Sequence, residues 1–126
     1  MKRKILIVED NVGLSQIQKD WLSRAGYDAV TAMSEPIARS LIRKTQFDLI
    51  LSDVRLPEGD GISLLEWLRK EKKDIPFIIT TEFVSVPDVV RTIKLGARDY
   101  LPKPVHREHL LELAEDVFHP VATVRK

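Results

Sequence analysis

The chain has 126 residues, of which 44% are hydrophobic and 31% are charged, which is enough for one globular domain with a proper core. Its 20 basic and 19 acidic residues leave a formal charge of +1, so net charge gives no reason to expect direct binding to nucleic acid or to a membrane. It has no cysteine, which excludes disulfides and thiolate metal sites and is compatible with a cytoplasmic location. The basic start precedes only four apolar residues, too few for an export signal or a membrane span.

Short apolar runs alternate with helical patterns along the chain. The continuous runs at 5–8, 49–51 and 77–79 are rich in branched residues and are typical of strands covered on both faces. Segments 27–32 and 99–101 predict weaker strands nearer the edges of the sheet. Between the strands, apolar residues recur every three or four positions, as on one face of a helix. These sets are Leu14, Ile17, Trp21 and Leu22; Ile37, Ala38, Leu41 and Ile42; Ile62, Leu65 and Leu68; Val89, Val90 and Ile93; and Leu110, Leu113, Ala114 and Val117.

Local signals mark the helix ends and the limits of the domain. Ser34 is a predicted N-cap, and Gly26 and Gly96 are predicted helix stops. Strand–helix repeats in a chain of this length predict an α/β fold with a parallel sheet and right-handed crossovers. We expect one domain over 1–118, followed by 119–126 as a tail or the start of a linker to an output domain absent from this chain.

Polar residues follow four of the five predicted strands. Glu9 and Asp10 follow the first, Asp53 the third and Thr81 the fourth, while Lys103 follows the fifth. In an open parallel sheet, ligands bind beyond the carboxyl ends of the strands, where the strand order reverses. We therefore expect these side chains to meet at one edge of the sheet. Such a group of carboxylates, a hydroxyl and an ammonium would suit a divalent metal and a phosphoryl group.

Four motifs in order resemble the receiver domain of bacterial two-component response regulators. They are Ile-Leu-Ile-Val-Glu-Asp-Asn at 5–11, the segments at 53–61 and 76–81, and the Gly-Ala to Lys-Pro segment at 96–104. The resemblance covers residues 3–118, and the Asp-Tyr-Leu-Pro-Lys-Pro ending is most similar to NtrC-type regulators. Members of that subgroup usually carry ATPase and DNA-binding output domains. The implied fold is a doubly wound, flavodoxin-like parallel sheet of five strands in the order 2-1-3-4-5, flanked by five helices.

The resemblance also implies a chemistry. Asp53 would accept a phosphoryl group from phosphohistidine on a sensor histidine kinase, with Mg²⁺ as cofactor. Asp10 and Asp53 would bind the metal directly, Arg55 would add its backbone carbonyl, and Glu9 would act mainly through water. Lys103 would place a compact positive charge at the phosphoryl oxygens. Catalysis would be limited to phosphoryl transfer to Asp53 and its later hydrolysis, so the chain would not be an enzyme in the usual sense.

A switch follows from the same resemblance. Thr81 would donate its hydroxyl to the phosphoryl group, and Tyr100 would rotate inward as the threonine moves. The Lys103-Pro104 bond would be cis, as in most relatives. The face of the fourth helix and fifth strand, with Arg91 and Lys94, would then support a phosphorylation-dependent homodimer. DNA would be bound only through an output domain outside this chain, and no membrane would be involved.

Some residues depart from the family pattern. Glu82 follows the threonine where relatives generally have a small residue, and Glu58-Gly59 replaces the more usual Gly-Met. Pro87 falls in the first turn of the fourth helix, where proline is tolerated.

Other conspicuous residues have simple interpretations: the segment 69–73 as a solvated helix end, the tryptophans as helix packing, and the histidines as surface residues. These last two groups are Trp21 and Trp67, and His106, His109 and His119.

Three other functions would be compatible with this architecture. A flavodoxin-like electron carrier would share the architecture, but Glu9 and Asp10 would repel a flavin phosphate. A phosphatase of the haloacid dehalogenase type needs a second carboxylate two residues after its nucleophile, where Arg55 stands. A phosphorylation-independent pseudo-receiver remains open as the alternative, and Glu82 is its best argument.

Overall fold

The computed structural model describes residues 2–82 and 86–120, and it contains one five-stranded parallel sheet in the order β2-β1-β3-β4-β5, as predicted. The strands are β1 Lys4–Val8, β2 Asp28–Ala32, β3 Leu49–Asp53, β4 Phe77–Thr81 and β5 Asp99–Pro102. The helices are α1 Val12–Arg24, α2 Glu35–Lys44, α3 Gly61–Lys70, α4 Val86–Lys94 and α5 Arg107–Phe118. Most of the predicted tail, at 121–126, lies outside the described residues.

The central strands carry continuous apolar runs, at 5–8, 49–51 and 77–79, because both of their faces are covered. Successive side chains of a strand point to opposite faces, so neighbouring residues enter different clusters. On one side, Leu6 and Ile50 pack with α2 and α3; on the other, Ile5 and Leu51 pack with α1 and α5. This two-sided burial is the reason for the continuous apolar runs in the sequence. The predicted edge positions of β2 and β5 are also confirmed.

The sheet register brings the carboxyl ends of the strands to one edge. Val8, near the end of β1, pairs with Ala32 of β2 and with Ser52 of β3. Asp53 pairs with Thr80 of β4, whose next residue pairs with Pro102 of β5. The strand order reverses between β1 and β3, so a cleft is expected there.

The predicted helix boundaries are confirmed. Ser34 accepts a hydrogen bond from the Ile37 amide at 3.4 Å and caps α2. Gly26 and Gly96, just after α1 and α4, have φ angles of +99° and +84°. This left-handed backbone conformation ends a helix and favours glycine.

The predicted packing face of α4 is wrong in part. Val90 and Ile93 are exposed to 44% and 63%, whereas Thr92 is fully buried. The Thr92 hydroxyl donates to the Val89 carbonyl at 3.0 Å, and a satisfied hydroxyl can be buried at little cost. Spacing alone does not distinguish these two faces of a short helix. Exposed side chains also interrupt the predicted apolar sets of α1 and α2, at Ile17 and Ile37.

The prediction that 69–73 is a plain solvated helix end is wrong for Arg69. Its guanidinium donates to the carbonyl groups of Leu95 at 2.7 Å and Gly96 at 3.1 Å. It also reaches the carbonyls of Lys73 at 2.9 Å and Ile75 at 3.2 Å. Arg69 therefore connects the end of α3 to the turn after α4, and it satisfies carbonyl groups of the two segments that follow these helices.

Other surface predictions hold. The three histidines are exposed, and both tryptophans are partly buried against the two core clusters. Pro87 is the second residue of α4, as the sequence suggested. In the described part of the chain, no helix combines the length and the apolar character that crossing a membrane requires.

Candidate functional site

A lysine lies between two buried carboxylates at the carboxyl edge of the sheet. Lys103, just after β5, has its Nζ 2.7 Å from Asp53 Oδ2 and 2.9 Å from Glu9 Oε1. Asp53 is the last residue of β3 and is 8% exposed, and Glu9 follows β1 and is 2% exposed. The fold thus joins residues that are 50 and 94 positions apart in sequence.

Asp10 completes an acidic cluster beside this lysine. One carboxylate oxygen from each of Glu9, Asp10 and Asp53 lies within 4.8 Å of the others, and Asp10 is exposed. Like charges at this separation repel one another, and a bound cation relieves that repulsion. The donors are oxygens only, which suits a hard cation such as Mg²⁺ that keeps some of its water. The cluster could therefore hold a divalent metal.

Backbone contacts fix how Glu9 is oriented. Its Oε2 accepts a hydrogen bond from the Asn11 amide at 3.0 Å, while Oε1 faces Lys103. Asn11 in turn caps α1, accepting a hydrogen bond from the Leu14 amide at 3.0 Å. Both oxygens of Glu9 are thus engaged by the protein. This arrangement fits the expectation that Glu9 would meet a metal through water, which stays a prediction.

The loop between β3 and α3 shapes the surroundings of Asp53. The Arg55 amide donates to Asp53 Oδ1 at 3.2 Å, and the Ser52 hydroxyl donates to the Asp53 carbonyl at 2.9 Å. Arg55 and Asp60 form an isolated antiparallel bridge that closes the loop. At Gly61 a Cβ would overlap the Asp53 carbonyl oxygen, so only glycine allows this close approach.

The charges of the cleft influence each other's ionisation. Burial raises the pKa of Glu9, although the hydrogen bond from Lys103 opposes the change. Burial alone would lower the pKa of Lys103, but its hydrogen bonds to Asp53 and Glu9 outweigh that effect and leave the pKa raised. Lys103 therefore remains a cation at neutral pH.

Thr81 and Tyr100 lie on one face of the sheet. Thr81 ends β4 and is 4% exposed, and its carbonyl accepts a hydrogen bond from the Lys103 amide at 2.9 Å. Tyr100 pairs in register with Ile79, two residues before Thr81, so the two side chains point the same way. The Tyr100 hydroxyl is hydrogen-bonded to that of Thr92 on α4, with 3.3 Å between the oxygens. Tyr100 thus connects β5 to α4.

One residue noted above as a departure from the family pattern, Glu82, lies at the mouth of the cleft. Glu82 is exposed and lines a cleft of about 420 Å³ together with Asp10, Asp53 and Lys103. Its carboxylate lies at the rim and adds negative charge there.

The Lys103-Pro104 peptide bond is cis, as expected. The sequence did not single out Glu35, which is 4% exposed and accepts a hydrogen bond from the Asp60 amide at 2.9 Å.

Comparison with known proteins identifies the class. Residues 5–115 match the family described as the response regulator receiver domain. The transcriptional regulatory protein ZraR of Salmonella typhimurium is 40% identical over 114 residues, which are 90% of this chain and 26% of that protein. The response regulator protein PilR of Pseudomonas aeruginosa is 33% identical over 112 residues, 89% of this chain and 25% of that protein.

Solved structures agree with this. The non-phosphorylated HemR receiver domain from Leptospira biflexa has a TM-score of 0.87 and 35% identity, covering 99% of this chain and 98% of that one. A CheY-like receiver domain protein from Methanospirillum hungatei has a TM-score of 0.88 and 30% identity, covering 94% and 95%. The chain belongs to the response regulator receiver domain family, a family of signalling domains. It spans about a quarter of the length of its transcriptional regulator relatives, whose names agree with the predicted subgroup.

Proposed function

We propose that this chain is a phosphorylatable receiver whose Asp53 accepts a phosphoryl group from the phosphohistidine of a sensor histidine kinase, with Mg²⁺ as cofactor. The observation that carries the proposal is the 2.7 Å contact between Lys103 Nζ and Asp53 Oδ2 beside the acidic cluster. Phosphoryl transfer depends mainly on positioning and on neutralising charge, and this cleft offers both.

The transfer step uses few groups. A carboxylate oxygen of Asp53 forms a bond to phosphorus while the phosphorus–nitrogen bond of phosphohistidine breaks, and the leaving imidazole takes up a proton from solvent. Lys103 holds the phosphoryl oxygens by charge and hydrogen bonding. Asp10, Asp53 and the carbonyl of Arg55 would hold Mg²⁺, which supplies further charge neutralisation when bound. Water later hydrolyses the acyl phosphate and returns Asp53 to its carboxylate.

The phosphorylated state would be transmitted through β4, β5 and α4. New negative charge at Asp53 draws the Thr81 hydroxyl toward it, and Tyr100 moves into the space this leaves. The change at the α4–β5–α5 face would control self-association and an output, most simply transcription through a DNA-binding domain outside this chain. A sensor kinase partner and a cytoplasmic location belong to the same proposal.

A pseudo-receiver that works without phosphorylation is the second candidate. The observation in its favour is Glu82, whose carboxylate lines the mouth of the cleft and repels an approaching phosphate. Against it, Glu82 is exposed and well hydrated, so its repulsion is screened by solvent and salt. The first candidate is therefore the stronger one.

Intact-mass measurement after incubation with acetyl phosphate tests the proposal. We expect one added phosphoryl group on the wild type with Mg²⁺, little with a chelator, and none on Asp53→Asn. Asp116→Asn, which changes an exposed carboxylate of α5, serves as the matched control and should label like the wild type. Labelling of Asp53→Asn to the wild-type extent would show that another residue is the acceptor.

A further inference from the structure

We propose that Glu35 is a positioning residue for the phosphoacceptor loop between β3 and α3, and that its carboxylate sets the Mg²⁺ affinity of the cleft. The inference rests on the proposed function, because it concerns the loop that carries Asp53 and Arg55. Glu35 is the first residue of α2 and lies outside the acidic cluster described above. Its role would be to hold backbone, without contact to the phosphoryl group.

The buried carboxylate of Glu35 is directed at this loop. It is 4% exposed, and its Oε1 accepts the Asp60 amide hydrogen at 2.9 Å across 25 positions of sequence. Its Oε2 accepts from the Arg39 guanidinium, with Nε at 2.9 Å. The Glu35 amide also donates to the Glu58 carbonyl at 3.3 Å. One residue of α2 thus holds the loop at two points.

The Glu35 carboxylate can be buried only because each of its two oxygens accepts a hydrogen bond. Hydrogen bonds to an ionised group are stronger than those between neutral groups, and leaving such a group without its partner is costly. The arginine is itself held in place, since Arg39 and Arg43 stack on Trp67 of α3 with Cζ atoms 5.1 Å and 5.2 Å from the ring centre. A glutamate that served only the helix dipole would not need these partners or this burial.

The absence of a side chain at Gly59 leaves room for the Glu35 carboxylate. Gly59 has a φ angle of +78°, and a Cβ at this position would overlap the Glu35 carboxylate, Oε1 above all. The glutamate side chain occupies the space that a side chain at 59 would need, and the positive φ angle independently favours glycine there. Glu35 and Gly59 therefore act as a pair.

A short series of hydrogen bonds connects Glu35 to the phosphoacceptor. The Asp60 amide that Glu35 holds belongs to the residue bridged to Arg55. The Arg55 amide donates to Asp53 Oδ1 at 3.2 Å. Releasing Asp60 would therefore shift the position of the Arg55 backbone, whose carbonyl is the proposed metal ligand. Groups that orient metal ligands in this way typically change metal affinity by about 10- to 100-fold when removed.

The experiment compares two substitutions at one position. Glu35→Gln keeps an acceptor oxygen for the Asp60 amide, whereas Glu35→Met removes it at similar volume. We expect Glu35→Met to weaken Mg²⁺ binding, measured by calorimetry, on the order of tenfold, and to speed exchange of the Asp60 amide in metal-free protein by NMR. Glu35→Gln should restore part of both, since its single amide oxygen can accept from the Asp60 amide while its NH2 group then faces Arg39. Arg43→Met, which removes the other arginine that stacks on Trp67 but leaves both contacts of the Glu35 carboxylate in place, is the matched control and should bind Mg²⁺ like the wild type.

The outcomes separate the alternatives. Wild-type Mg²⁺ affinity in Glu35→Met, together with fast exchange at Asp60, would overturn the inference. If that variant does not fold, Gly59→Ala takes its place, because the added Cβ pushes the same carboxylate away from the loop. In that variant, Mg²⁺ affinity and Asp60 exchange like the wild type's would also overturn it. Should wild-type protein bind Mg²⁺ yet fail to be phosphorylated, the proposed function would fail while the Glu35 comparison still stands.

Discussion

Lys103 is the residue on which the electrostatics of the cleft depend. Its single positive charge contacts two buried carboxylates at once, and its side chain is 11% exposed, so water does little to screen these contacts. Removing one partner from a buried ion pair is strongly destabilising because the remaining charges stay buried and unpaired. The same residue would therefore serve both the stability of the metal-free protein and the chemistry of the proposed phosphoryl transfer.

We expect Lys103→Met to lower the free energy of unfolding by about 3 kcal/mol in the presence of a chelator at pH 7. Mg²⁺ should recover part of the loss, since it neutralises the same carboxylates. Chemical denaturation with and without Mg²⁺ measures both effects, and Lys94→Met, at an exposed position on α4, is the control. A loss no larger than the control's would contradict this view of the cleft.

The pH dependence of that contribution has a definite sign. Folding raises the pKa of Lys103, so its stabilising effect is complete below the ordinary lysine value of 10.5 and is lost as the pH rises above it. The wild type and Lys103→Met should accordingly converge in stability only at alkaline pH. Convergence at neutral pH would mean that the lysine is not held as a cation.

At the scale of single elements, strands were easier to predict than helix faces. The runs that became β1, β3 and β4 are apolar at every position because both sheet faces are covered, and this leaves a clear signal. On α4 the signal failed: Thr92 is buried and Ile93 is exposed, since a hydroxyl that bonds within its own helix can replace an apolar side chain. Burial of such a residue depends on neighbours that local spacing does not reveal.

The contact between Thr92 and Tyr100 gives a prediction for α4. Tyr100→Phe removes the hydroxyl that joins β5 to this helix, while Thr92 keeps the Val89 carbonyl as a partner. We expect a loss of only about 1 kcal/mol in stability, but faster amide exchange over 87–94. Hydrogen exchange followed by mass spectrometry measures this, with Tyr27→Phe as the control. Unchanged exchange in α4 would show that the hydroxyl contact does not restrain the helix.

For the whole molecule, the site residues that could be predicted from the sequence are those at the carboxyl ends of the strands, because strand direction fixes their position. Asp53 ends one strand of the parallel sheet, and Glu9 and Lys103 each follow another, so topology alone brings them to one edge. The roles of Glu35 and Arg69 were missed because each has a partner among loop backbone groups about 25 positions away, and no local pattern encodes such contacts. Their roles emerge only from the packed structure.

The exposed surface of α4 leads to a prediction about assembly. Val90 and Ile93 are exposed beside Arg91 and Lys94, giving an apolar strip bordered by charge that suits a symmetric contact. We expect beryllofluoride, a mimic of the phosphoryl group, to shift the protein toward a dimer with Mg²⁺, measured by sedimentation. Ile93→Glu should prevent dimer formation without reducing beryllofluoride binding. Ile17→Glu, on α1, is the control and should still form the dimer. A sedimentation profile unchanged despite confirmed occupancy would contradict the prediction.

The distance along the chain between Glu9 and Lys103 has a consequence for the order in which the protein folds. The contact spans 94 positions, and such long loops close late because their entropy cost must be met first. We therefore expect the acidic residues at the ends of β1 and β3 to approach one another before the lysine after β5 arrives. Early folding proceeds against their repulsion, and the docking of β5 relieves it. Lys103 would consequently slow unfolding far more than it speeds folding.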